Sequence, residues 1–198
     1  MEIAVYPAGE PTLRAKKAEI TVFGKHLGKV RYGEDEKNSA SALYRVCSAS
    51  KNGLTFALAD TTAGGAPKRS VLVAEGGRLL GITDELTASQ TAFRITKNLR
   101  VYHTLAGEIG VLSGADFYAY EPTRVLTACG ATIIVHLATF RKPQADTVGG
   151  ALAYFNRVPV LSVSAGVAAL YAENGELIYA SPVNGATLTL TPKREDVF

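Results

Sequence analysis

The sequence predicts an α/β or α+β fold of layered sheets, and three observations lead to it. Short apolar runs bounded by turn residues recur from one end of the chain to the other. Two-residue turns such as Gly76-Gly77 and Asn174-Gly175 join neighbouring runs into hairpins. Helical periodicity is confined to a few segments, two of them late in the chain. Residues 3–6 (Ile-Ala-Val-Tyr) and 20–23 (Ile-Thr-Val-Phe) read as buried strands. Residues 38–50 read as an amphipathic helix capped by Asn38 or Ser39, with Leu43, Val46 and Cys47 on one face and Asn52-Gly53 at its end. Residues 54–59 form a strand, and 70–75 with 78–82 form a hairpin in which the Gly-Gly turn admits positive φ at both positions. Residues 99–104 and 108–112 pair around Ala106-Gly107, and a sharp transition follows at residues 113–116. Residues 122–129 read as a helix with Pro122 in its first turn and Gly130 as its stop. Residues 132–137 are apolar enough for a strand covered on both faces. A helix over 146–156, capped by Asp146 or Thr147, precedes strands at 158–163, 167–171, 177–180 and 186–191.

The chain has 198 residues, of which 47% are hydrophobic and 20% charged. No low-complexity linker, repeat or composition shift divides it, so a single domain over 1–198 is expected. The absence of Trp and the modest net charge of +3 argue against nucleic acid as a partner. No apolar run reaches membrane-spanning length and residues 1–10 do not resemble a signal peptide, so no membrane partner is expected. Two cysteines, Cys47 and Cys129, suit a reducing, cytoplasmic location. Both read as core filler. The three histidines lack the spacing of a metal site, and neither metal nor cofactor is expected. Gly64-Gly65 lacks the context of a phosphate loop, and Lys68-Arg69 reads as a solvated strand start.

The run Gly107-Glu-Ile-Gly-Val-Leu-Ser-Gly-Ala-Asp116, then Glu121-Pro-Thr-Arg124 and Cys129-Gly-Ala-Thr-Ile-Ile-Val-His136, resembles the carbon–nitrogen hydrolase (nitrilase) superfamily. The hairpin around Gly76-Gly77, the Ala151-x-Ala-x-x-Asn156 segment and the closing hairpin with Glu173-Asn-Gly-Glu-Leu extend the resemblance over about residues 20–192. It implies an α/β, four-layer α-β-β-α sandwich with two mixed sheets and helices outside, shortened near its N-terminal helix. It also implies a homodimer through the helices at 122–129 and 146–156, packed by Leu126, Ala128, Ala151, Ala153 and Phe155.

Members of that superfamily hydrolyse amides or nitriles with a Glu base, a Lys that steadies the tetrahedral intermediate and a Cys nucleophile. Carried over position by position, these roles fall on Lys25, Glu85 and Gly114, so all three are lost. The Arg and Glu of the family's later helix fall on Leu152 and Phe155. The exchanged charges at Lys25 and Glu85 suggest a buried ion pair or, in a lyase-like reading, a proton-transfer pair. Ser113, one residue before the elbow, would point away from the site. Asp116 matches the family's elbow and could hold its backbone. His136 either contacts a ligand or caps a strand end. Glu121 and Arg124 suit a structural i, i+3 ion pair. The resemblance therefore implies a non-catalytic binding, regulatory or assembly protein, with a small-molecule ligand possible. An amide hydrolase with a non-standard nucleophile is the alternative.

Overall fold

A computed structural model describes residues 1–11, 18–31, 41–63, 66–86, 99–182 and 185–190. Two mixed sheets lie face to face. The first carries β13(Ala186–Thr189), β1(Glu2–Tyr6), β2(Ile20–Phe23), β4(Leu54–Ala63), β5(Ala66–Glu75) and β6(Arg78–Asp84) in that order, with β3(Lys29–Arg31) beside the far half of β4. The second runs β12(Leu177–Pro182), β11(Val167–Tyr171), β10(Val160–Ser164), β9(Ile133–Ala138), β8(Gly107–Ser113) and β7(Val101–Thr104). β1, β2 and β4 are mutually parallel, as are β8, β9 and β10.

Period-two alternation divides each strand between two cores. Ile20, Val22, Leu54, Phe56, Leu58, Val71 and Val73 meet Ile109, Val111, Ile133, Val135, Leu161 and Val163 between the sheets. Each such side chain contributes about 1.5–3 kcal/mol on burial. The alternate residues face outward. Phe23, Ala57, Leu72 and Ala74 pack under α1(Ala42–Ala49), and Leu112, Ile134, Val160 and Tyr171 pack under α2(Tyr120–Ala128) and α3(Ala145–Asn156). The layers are thus α1, sheet, sheet, α2 with α3, which is the α-β-β-α sandwich that the sequence implied.

Several boundaries differ from the sequence reading. The cap of α1 is Ser41, whose Oγ accepts the Tyr44 N–H at 3.0 Å; Asn38 and Ser39 lie outside the described residues. α3 starts at Ala145, and its flanking residue Gln144 makes no side-chain cap, so Asp146 sits in the first turn. β3 was missed because only Val30 of its three residues is buried. Gly76 and Gly77 adopt φ of +59° and +84°, the left-handed pair that their hairpin requires. Gly64-Gly65 and Thr191 lie outside the described residues.

Candidate functional site

The ends of β2, β4, β6, β8 and β10 converge at one end of the sandwich. A Cβ added to Gly24, just past β2, would overlap Val163 of β10 and the Pro7 carbonyl. At the end of β8 the chain turns through Gly114, φ +57°, into a short 3-10 turn over Gly114–Tyr118. This is the elbow, and the Glu85 carboxylate fills the space beside it. A Cβ on Gly114 would overlap the Glu85 carboxyl, so no side chain fits there without moving it.

A reciprocal clasp fixes this contact. Glu85 Oε1 accepts the Ala115 N–H at 2.5 Å. In return both oxygens of buried Asp116 accept the Leu86 N–H, at 3.0 and 2.9 Å. Each segment thus offers a carboxylate to the other's backbone, where charge-assisted bonds are strong. Burial pushes the Glu85 carboxyl above the ordinary range, helped by the Asp116 and Asp60 charges and opposed by the Ala115 N–H and Arg69.

His136 secures the elbow from the other side. It lies mid-strand and fully buried, not at a strand end, and its ring stacks on Phe117 at 4.3 Å between centroids. Its Nε2 is 2.9 Å from the Gly114 carbonyl and its Nδ1 is 2.9 Å from Ser162 Oγ. A carbonyl only accepts, so Nε2 carries the proton and Nδ1 accepts from the Ser162 hydroxyl. Burial lowers the imidazole pKa to about 4, which keeps this tautomer neutral. Ser113 is fully buried on the inter-sheet side, the parity of Ile109 and Val111, and its Oγ has no hydrogen-bond partner.

The expected Lys25–Glu85 pair does not form. Residues 20 and 22 face the inter-sheet core and the overlap at Gly24 keeps that parity, so Lys25 falls on the α1 side. There its Nζ is 2.5 Å from Glu10, which also holds Arg45 of α1 at 2.8 Å. The proton-transfer reading of Lys25 with Glu85 falls for the same reason. His26 approaches β4 instead: its Nε2 is 3.1 Å from Asp60 Oδ1, off the N–H direction, while Nδ1 accepts the Gly28 N–H.

Arg69 was missed. Far from a solvated start, Lys68 and Arg69 are half-buried in β5; Lys68 lies 3.3 Å from Asp84, and Arg69 stands opposite Asp60 with its Nε buried and unpartnered. Carrying the alternation of Val73 and Val71 back two residues places Arg69 on the inter-sheet side, and that signal was present in the sequence.

Other expectations also change. Glu121 and Arg124 are both exposed on α2, and among the described residues no ion pair joins them. Cys129 is exposed because it follows the last turn of α2, whereas Cys47 is buried as expected. Leu126 and Ala153 belong to the core; the exposed apolar residues of α2 and α3 are Tyr120, Val125, Ala128, Tyr154 and Phe155. Between these helices an apolar groove of about 520 Å³ is lined by Tyr118, Tyr120, Val148, Ala151, Leu152 and Phe155. No group of metal-ligating side chains occurs among the described residues.

No protein-family model and no curated protein matches the sequence. Solved structures do match the fold. Nit3 of Saccharomyces cerevisiae, a member of branch 10 of the nitrilase superfamily, aligns with a TM-score of 0.75 at 9% identity, over 94% of this chain and 88% of its own. A mutant of the Nesterenkonia sp. AN1 amidase in complex with butyramide gives 0.72 at 13% identity, over 94% and 88%. The glutamine-dependent NAD+ synthetase of Acinetobacter baumannii gives 0.70 at 12% identity, over 94% of this chain and 44% of that one. The chain has the nitrilase-superfamily fold.

Proposed function

We propose that this nitrilase-fold protein has lost acyl transfer and works as a binding or assembly protein, dimeric through the α2–α3 face. One observation supports it above the others: at the elbow, where the resemblance puts the nucleophile, Gly114 has no side chain and the Glu85 carboxylate takes its room. An acyl-enzyme needs a nucleophile beside a base and an oxyanion held by fixed donors. Here the first residue is missing, the residue at the Lys position is an acid, and Lys25 faces α1. Ser113 offers a hydroxyl with no base in hydrogen-bond contact. The exposed groove lies on the helices through which the resemblance implies dimerisation.

Butyramide, the ligand of one amidase of this fold, makes a direct test. Purified protein should release no ammonia from it above background. Acrylamide, which adds to the active-site cysteine of that amidase, should here label only exposed Cys129, and Cys129→Ser should abolish labelling. Sustained ammonia release that disappears in Ser113→Ala would establish the alternative, an amide hydrolase with a non-standard nucleophile.

A further inference from the structure

An acyl-transfer site keeps two things open for its ligand: room beside the reacting atom, and a fixed N–H donor for the oxygen. At this elbow one side chain takes both. The carboxyl carbon and both oxygens of Glu85 would overlap a Cβ on Gly114, and Oε1 accepts the Ala115 N–H at 2.5 Å. The backbone delivers that side chain. The Glu85 N–H donates to the Arg69 carbonyl at 2.8 Å, and the next N–H, of Leu86, is held by both oxygens of Asp116. The peptide bonds on either side of the Glu85 Cα are therefore anchored, one to β5 and the other to the elbow itself.

Two facts separate this contact from ordinary core packing. Glu85 and Ala115 are only half-buried, so solvent reaches their surroundings without any opening of the sheets. Burial still holds the Glu85 carboxyl above its ordinary range, against the Ala115 N–H and the Arg69 charge, which lower it. The carboxylate thus sits on a backbone donor at a desolvation cost, which is the situation of a bound small acid. Beyond its Cβ, a Glu side chain is a CH2–COO− unit, and that is acetate in all but the covalent link.

We propose that Glu85 is a tethered ligand of the elbow: its carboxylate occupies, from within the chain, the place of a small acid and so closes a site that its removal opens. This rests on the reading that acyl transfer is lost. It makes the elbow a closed site in the intact protein, so that binding falls to the α2–α3 groove.

Glu85→Ala deletes the CH2–COO− unit and nothing nearer the backbone. Sodium acetate restores that unit, whereas sodium pivalate has the same charge and is too bulky for the same room. In thermal unfolding of the full chain at constant ionic strength, about 100 mM acetate should raise the melting temperature of Glu85→Ala by roughly 2–5 °C, as for a site about nine-tenths filled. Pivalate should not, and neither salt should shift the wild type. Gly114→Ala added to Glu85→Ala should abolish the response, because the new Cβ fills the vacated place. If Glu85→Ala stays unfolded in plain buffer, its refolding yield in acetate against pivalate is the readout, and equal yields count against the assignment. No acetate shift in Glu85→Ala, equal shifts from the two salts, an equal shift in the wild type, or a response that survives Gly114→Ala would each overturn the tethered ligand. Ammonia release from butyramide is a separate readout. It would sink the non-catalytic reading, whereas a failed acetate response with no ammonia released sinks the tethered ligand alone.

Discussion

Gly114 is the position at which two separate constraints meet. Its φ of +57° would cost a residue with a Cβ roughly 1–2 kcal/mol, and the Glu85 carboxyl occupies the place of that Cβ. Gly114→Ala should therefore lose more stability in urea denaturation than the backbone cost alone. Glu85→Ala removes the overlap but not the φ, so the double mutant should be more stable than additivity predicts by about 1 kcal/mol. Strict additivity would mean that the carboxylate does not press on the elbow. His136 gives a pH-dependent counterpart. Its folded pKa of about 4 lies below its ordinary value of 6.5 because burial disfavours the charged ring, and the facing Arg141 charge adds to this. The unfolded chain thus binds a proton that the folded chain refuses, and stability falls as pH drops from 6.5 towards 4. The slope is at most about 1.4 kcal/mol per pH unit. Glu85 acts oppositely, since its raised pKa favours the folded state at low pH and that contribution is lost as pH rises. Denaturation at about pH 7 and pH 5 should show the loss reduced in His136→Gln and enlarged in Glu85→Gln. An unchanged profile in His136→Gln would refute the burial of a neutral imidazole at this position.

At the scale of elements, what the sequence revealed depended on how much signal each segment carried. Strands with three or more buried apolar residues, such as β4, β5 and β9, announce themselves by composition and punctuation. β3 has one buried residue and does not. The elbow was legible through the spacing of Gly110, Gly114 and Asp116 and the resemblance it carried, but the clasp was not, because it joins residues 30 apart by backbone N–H groups that no side-chain pattern encodes. The supposed Lys25–Glu85 strut failed on parity: one residue beyond Gly24, just past β2, the side chain turns from the sheet interface to α1. The same parity, applied backwards along β5, would have found Arg69. The end of α3 fell at Asn156 as expected, while the start of α1 was blurred because Asn38, Ser39 and Ser41 all suit a cap. Ser41→Ala should settle the α1 boundary by costing about 1 kcal/mol. At the far end of α3, Arg157 holds φ +55°, a left-handed cap that glycine adopts freely, so Arg157→Gly should raise the melting temperature. A fall instead would show that the stacking of Arg157 over Tyr154, 5.0 Å from the ring centroid, outweighs the backbone gain.

At the scale of the molecule, the two ends of the elbow segment face different surroundings. Gly114 and Ala115 meet the clasp, while Tyr118 and Tyr120, a few residues on, line the outer groove. Tyr118 packs edge-on against Phe117, which stacks on His136, which holds the Gly114 carbonyl. Whatever covers the groove therefore presses on side chains that fix the elbow. A second copy of the chain is the proposed cover. Phe155 is 66% exposed beside this groove, and burying it would gain about 1.5–3 kcal/mol per copy. Phe155→Lys should turn a dimer at micromolar concentration into a monomer by sedimentation. It should do so with little loss of intrinsic fold stability, because the side chain contributes nothing to the cores between and beneath the sheets. Leu126→Asp is the control from the same helix pair: at 1% exposure it should unfold the protein rather than dissociate it. A wild-type protein that sediments as a monomer would remove the dimer. A Phe155→Lys protein that remains dimeric would move the interface elsewhere and leave the groove free for a different partner.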